Sequence, residues 1–501
     1  MDRSVRVRMK IYQMSSFNGV TAFFLVLILS IVFSSHAMSQ DQSHESVHEH
    51  ASDFERQWLA GDHHIHSRYS VGWNEETDPP TPVIGGDAKY PIPMNAVMGR
   101  LYGLSWMVAT DHGGPNHSKV NLEMAYPELL TSRKAVPDLI QFFGMEFDTP
   151  GADHSTIIIP YSNDEAERLY EIESNFNSTE PYPADSTWDT EPRMIEALKA
   201  MNQFPEKPLV IANHPSRTAT GLGVYGKHNP EQLRNWSEAY PDIAVGMAGA
   251  PGHQAATLNR DGNFPRGAYG FGRYPTMGGF DQMTARLGGF WDSMLGEGRK
   301  WWITANSDSH YHWTEGHIDF WPGEYSKTYV FAHKNYDDVI HGIRSGRMFV
   351  TLGDLISVLY VTASSSISEA EIGGTAEVES GSSVKITIRF LDPDALNAGD
   401  RNPSVKRVDL IIGQVAGPVK DRSTDTNPTT RVEARFTEND WETEGHYRKV
   451  TYLLEDVDSN SYIRIRGTNT DELEPEVDPM GEDPWSDLWF YSNPIFLFVT
   501  D

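Results

Sequence analysis

The residues of this 501-residue chain able to do chemistry begin at Asp62-His63-His64-Ile65-His66-Ser67. Side chains alternate across an extended strand, so His64 and His66 share one face while His63 and Ile65 take the other. Paired imidazoles on one face, at the start of a βα unit, suit a borderline transition ion such as zinc, manganese or iron. Four later stretches also end on ligand types. Trp106-Met107-Val108-Ala109 runs into Thr110-Asp111-His112-Gly113, where His112 is read as a ligand and Asp111 as the group that supports it. Phe143-Gly144-Met145-Glu146 closes on a carboxylate suited to bridging two ions, and Asp153-His154 follows. Val210-Ile211-Ala212-Asn213-His214-Pro215 is an apolar strand closing on histidine, and Trp301 to His310 ends with Asp308 and His310 two apart, on one face. A single histidine after a strand is ordinarily a hydrogen-bonded loop residue, and a single glutamate is ordinarily solvated. Their accumulation points to metal, because the C-terminal strand ends of a (β/α) barrel meet at one mouth. His63, His253, His312 and His317 fall outside the pattern and are read as structural.

The elements that must position these residues are short apolar runs alternating with helical patterns, a βαβ signature. The runs are Leu104–Ala109, Leu139–Phe143, Thr156–Ile159, Leu209–Ala212, Trp301–Thr304 and Thr328–Ala332. Helices are expected at Glu191–Asn202, after Asn229-Pro230, and at Tyr336–Ser345 with Gly346 as its stop. After Gly353 apolar residues alternate with polar ones (Val384, Ile386, Ile388, Phe390; Val408, Leu410, Ile412; Ile463 and Ile465 against Tyr462 and Arg464), the pattern of a half-buried antiparallel sandwich. The chain is therefore expected to divide into a signal peptide (1–39), a polar linker (40–56), an α/β unit (57–352) and a β-sandwich (353–501).

The signal rests on Arg3, Arg6, Arg8 and Lys10, the apolar run Val20–Phe33, and Ala37-Met38-Ser39 as the cleavage site. That run is too short for a comfortable span, so the mature chain is expected to be periplasmic or secreted, without stable membrane association. The absence of cysteine excludes disulfides and thiolate zinc sites. The formal charge is −29, and removing four basic residues and one acidic residue with the signal leaves about −32. Such a surface repels phosphate backbones, so the expected partner is a small-molecule ester and not nucleic acid.

Taken in order, HxH, TDH, G-x-E, two separated histidines (the second as H-P) and S-D-x-H resemble the polymerase and histidinol phosphatase (PHP) family, over residues 57–352. The resemblance implies a distorted (β/α)7 barrel followed by a smaller all-β sandwich domain, and two or three divalent ions that hydrolyse phosphate mono- or diesters. Exported relatives with a C-terminal β-sandwich include proteins similar to carbamate hydrolases, and Ser492-Asn493-Pro494-Ile495 resembles the close of such a protein. Carried over by residue, the resemblance gives one ion to His64, His66, Glu146 and Asp308. It gives a second to Glu146, His154 and His214, and a third to His112, His310 and an aspartate. Here the aspartate's place is taken by Val71 in Ser70-Val71-Gly72, so the third site is expected to be weakened or absent unless a neighbour such as Asn74 or Glu75 substitutes.

The expected activity is that of an exported metal-dependent phosphoesterase. Two cations sharing Glu146 lower the pKa of a bridging water, so hydroxide exists near neutral pH. Asp308 is a proton acceptor as well as a ligand, and His310 or His112, when not bound to metal, is the acid for the leaving group. Arg217 is expected to clamp a phosphoryl oxygen, with Arg266 and Arg273 as weaker candidates, although ordinary surface or structural pairing accounts for arginines equally well. The alternative is a carboxyl or carbamate ester hydrolase on the same metals, since hydroxide attacks either electrophile. A third reading is a non-catalytic, metal-dependent binding module.

Overall fold

The computed structural model describes residues 55–252, 268–269, 274–479 and 482–500. The expected signal peptide and nearly all of the expected linker lie outside the described residues.

Nine strands position the site: β1 (Gln57–Asp62), β2 (Trp106–Ala109), β3 (Ile140–Asp148), β4 (His154–Ile159), β5 (Leu209–Ala212), β6 (Ala244–Pro251), β7 (Trp302–Asn306), β8 (Ser326–Ala332) and β9 (Met348–Leu352). In space they run β7-β6-β5-β4-β3-β2-β1-β8-β9. The pairs β1–β2, β2–β3, β5–β6 and β6–β7 are parallel, while β4 is antiparallel to both its neighbours. Every residue of β2, β5, β6 and β7 is buried, which is why these segments read as continuous apolar runs instead of alternating ones. The end strand β7 folds back on β8, where the Thr328 hydroxyl accepts from Ala305 N at 2.8 Å and donates to Ala305 O at 2.7 Å.

Strand β6 is absent from the apolar runs read in the sequence. Its composition, AVGMAGAP, has Val245 as its one β-branched residue and no aromatic, so little in it announces a strand. The backbones explain the composition: a Cβ on Gly246 would stand 2.0 Å from Trp302 O, so only glycine lets β7 approach.

The helices follow their local signals. Pro230–Ala239 is capped by Asn229, whose Oδ1 accepts from Glu231 N and Gln232 N, both at 3.1 Å. Tyr336–Arg344 is followed by Gly346 at φ +70°, the left-handed stop that glycine supplies. Glu191–Met201 ends one residue before the expected boundary.

Beyond Leu352 the chain adds a five-stranded antiparallel sheet centred on Val358–Ser364, Ser382–Leu391 and Tyr447–Val457. There Val384, Ile386, Ile388 and Phe390 point inward, as alternation requires. The mixed sheet also continues past β9, through Trp489–Ser492, Ser461–Thr468, Arg407–Gln414 and Arg431–Thr437. Alternation fails on Ser461–Thr468, where all residues are buried, including Arg464. The helix Phe290–Gly296 covers that face, and Asp292 receives the Arg464 guanidinium through two contacts of 2.8 Å. The protein is thus an α/β core with an additional antiparallel β sheet. Among the described residues no helix is long and apolar enough to cross a membrane.

Candidate metal centre

His64 and His66 lie just after β1, in an extended segment held by the pairing of Ile65 with Ser309. Their Nε2 atoms are 2.9 Å apart. Glu146, within β3, aims its carboxylate at four imidazoles. Oε1 is 3.2 Å from His64 Nε2, 2.9 Å from His154 Nδ1 and 3.0 Å from His214 Nε2, while Oε2 is 3.4 Å from His66 Nε2. Asp308 Oδ1 is 3.1 Å from His64 Nε2 and 3.2 Å from His66 Nε2. His154 begins its strand instead of ending it, and it reaches the same mouth because β4 runs antiparallel.

Two of these residues leave regular geometry to get there. His214 has φ +27° and Asp308 φ +48°, conformations costing about 1–3 kcal/mol each for residues with a Cβ. The strand-face argument for Asp308 and His310 therefore does not apply: β7 stops at Asn306, and a turn brings the two into place. Three groups have ligand atoms within 4.8 Å of one another: His64, His66, Glu146 and Asp308; Glu146, His154 and His214; and His66, His112 and His310. Glu146 belongs to two of them, which defines a multi-metal centre.

The donor set fits cations. The Ser70 hydroxyl donates to Asp111 Oδ1 at 3.0 Å, and the Asp111 carboxylate also accepts from Ser67 N and Ser67 Oγ. Having spent its only proton, Ser70 Oγ accepts from His112 N at 3.2 Å and from His66 Nδ1 at 2.8 Å. His66 therefore carries its proton on Nδ1 and turns the Nε2 lone pair toward Glu146 and Asp308. Burial, and then the charge of His310, push His66 down to about 3, so it stays neutral. Against the cost of burial, the charges of His154 and His64 hold Glu146 well below the usual carboxylate range. Also against burial, Glu146 raises His154 to about 10. Buried carboxylates that draw protons onto histidines are carboxylates that call for positive charge.

Beside the third group stands a carboxylate that sequence reasoning missed. Asp87 Oδ2 stands 2.8 Å from His112 Nε2 and 3.3 Å from His310 Nε2. Val71 is 3% exposed and belongs to the apolar core, and Asn74 Oδ1 accepts from Glu76 N within its own turn. A cavity of about 290 Å³ opens over the centre, reached by Asp87, Arg217 and His317 beside the ligand residues.

Arg217 donates from Nε to Asp153 Oδ2 at 3.0 Å and from Nη2 to Asp153 Oδ1, with Nη2 3.2 Å from His154 Nε2. Arg266, Arg273 and His253 lie outside the described residues. His63 is held between Thr156 Oγ1 and Thr304 Oγ1, and His312 Nε2 faces Glu324 at 2.9 Å, both away from the centre.

No family model matches this chain, and no curated protein matches it. Among solved structures it is similar to the lesion-specific endonuclease PfuEndoQ from Pyrococcus furiosus, with a TM-score of 0.30 and 14% identity over 58% of this chain and 56% of that one. A complex of Endonuclease Q with a 27-mer duplex substrate, an abasic lesion at its active site, is similar at a TM-score of 0.29 and 14% identity, with the same coverage. The chain spans a little over half the length of these enzymes, and likeness of this degree assigns neither family nor activity. The second structure is an enzyme with a duplex substrate, and the exclusion of nucleic acid as a partner is not retained for this chain. The exclusion was drawn from the charge of the whole chain, and net charge does not describe the field inside one cleft.

Proposed function

We propose that this chain is an exported metal-dependent phosphoesterase acting on phosphate diesters at least as readily as on monoesters. In this reading residues 57–352 are a PHP-type distorted (β/α)7 barrel and residues 353–501 a β-sandwich domain. The observation that carries it is Glu146, one buried carboxylate facing the imidazoles of two ligand groups. Zinc, manganese or iron suits this donor set. When bound, two such ions supply an activated water and polarise the ester.

The chain's own residues do the rest. Glu146 and Asp308 would hold the ions, and Asp308 would also take up the proton of the attacking water. His310 lines the cavity, with Nε2 3.3 Å from Asp87 Oδ2, and in this reading it is the acid placed for the leaving group. Arg217, oriented by Asp153, binds a non-bridging oxygen.

One observation favours a second reading, the hydrolysis of carboxyl or carbamate esters. The Asp153 carboxylate already offsets the Arg217 charge, and a neutral ester needs no cation clamp. Relative turnover of para-nitrophenyl phosphate, bis(para-nitrophenyl) phosphate and para-nitrophenyl acetate separates the two. The proposal expects the diester to be at least as good as the monoester and better than the acetate. An acetate rate far above both phosphates selects the second reading.

A further inference from the structure

Glu146 is met from the core by an amide. Asn213 follows β5 at once, and its backbone N–H donates to His154 O at 3.0 Å. From that position Asn213 Nδ2 reaches Glu146 Oε1 at 3.1 Å, and Asn213 Oδ1 receives the Thr156 hydroxyl at 2.9 Å. Thr156 is held in register from both sides, opposite Glu146 on β3 and opposite Ile211 on β5. His63, which the sequence pattern leaves as a structural residue, joins the far end. Its Nδ1 is 3.3 Å from Thr156 Oγ1, and its Nε2 is 2.8 Å from Thr304 Oγ1. Asn213, Thr156 and His63 are fully buried, and every polar side-chain atom of the three has a partner.

The carboxylate sets the direction of the protons along this row. An ionised Glu146 only accepts, so the Asn213 atom facing it is the amide nitrogen. Turned the other way, the amide would set two acceptor oxygens 3.1 Å apart in a buried site. Asn213 Oδ1 then takes the single Thr156 proton, and Thr156 Oγ1 accepts in turn from His63 Nδ1. The amide proton falls on Oε1, the oxygen that also faces His64, His154 and His214. The two ligand groups that share Glu146 meet at that oxygen. We propose that Asn213 is a positioning residue for the shared carboxylate, with its own amide fixed by Thr156 and His63, so that metal affinity depends on a hydrogen-bonded row inside the α/β core. The inference rests on the metal-centre reading above.

Manganese(II) affinity tests it, measured by chelator competition on the full chain, beside denaturant unfolding of each metal-free protein. Asn213→Ala is expected to bind manganese about 10–100-fold more weakly. Thr156→Val removes the hydroxyl and keeps the branched shape, and it is expected to weaken binding about tenfold or more. Thr156→Ser returns the hydroxyl and is expected to restore the affinity. A purely structural role would lower the stability of the metal-free variants and leave the affinity of the folded proteins unchanged. Unchanged affinity in Asn213→Ala or Thr156→Val, or equal weakening in Thr156→Val and Thr156→Ser, overturns the assignment while the two-ion centre stands. Should Asn213→Ala fail to fold, the two Thr156 variants decide. An unmodified protein that takes up no manganese defeats the metal-centre reading and this inference with it.

Discussion

Asp111 and His66 are joined through one hydroxyl: Ser70 Oγ lies 3.0 Å from Asp111 Oδ1 and 2.8 Å from His66 Nδ1. The carboxylate fixes the direction of the serine proton, the serine fixes the histidine tautomer, and the tautomer decides which nitrogen can bind a cation. Ser70→Ala removes the middle term and leaves all the ligands present. The variant is expected to bind manganese or zinc about 10–100-fold more weakly, as measured by chelator competition. Unchanged affinity would show that packing alone orients His66.

A second buried pair lies behind the same loop. His117 Nδ1 is 2.6 Å from Glu173 Oε1, and its Nε2 donates to Tyr69 O at 2.8 Å. Burial opposes the charge, but Glu173 outweighs it and raises His117 from 6.5 to about 9. Because the folded-state value lies above the unfolded one, the stabilisation is fully present below pH 6.5 and is lost as pH rises through 9. Denaturant unfolding of the unmodified protein should therefore lose up to about 1.4 kcal/mol per pH unit across that window, relative to His117→Gln. Parallel curves for the two proteins would mean that His117 is neutral in the fold.

Arg217 is the cation on which the choice of phosphate over carboxyl esters turns. Arg217→Ala should lower turnover of bis(para-nitrophenyl) phosphate more than tenfold, about 1.4 kcal/mol or more for a lost charge-assisted contact, and leave para-nitrophenyl acetate largely unaffected. Equal losses on both substrates would make the Asp153–Arg217 pair a structural support for His154, which begins at the next residue.

Much of the centre could be read from the chain, for a physical reason. His64, His66, His112, Glu146, His214, Asp308 and His310 each sit within or close after an apolar strand, and the sheet gathers those ends whatever the details of the loops. Asp87 could not be read this way. It follows Gly85-Gly86 at the exit of an exposed hairpin, and its place at His112 depends on how that hairpin folds back. Strand β6 hid behind alanine and glycine. The buried Arg464 broke an alternation that assumed water on one face, because Asp292 arrives from a helix far away in sequence. The φ values of His214 and Asp308 have no sequence signature, since only the completed centre compensates for such conformations.

The account turns on Glu146 serving two ions at once in a hydrolytic centre. The most direct measurement is to strip the purified chain with a chelator, return manganese or zinc in steps, and follow bound metal together with bis(para-nitrophenyl) phosphate turnover. Turnover is expected to be absent from the stripped protein and to rise as the second ion binds. In Glu146→Ala both ions should be lost and turnover should fall more than a hundredfold, about 2.7 kcal/mol. Undiminished turnover after chelation, or full metal content in Glu146→Ala, would contradict it.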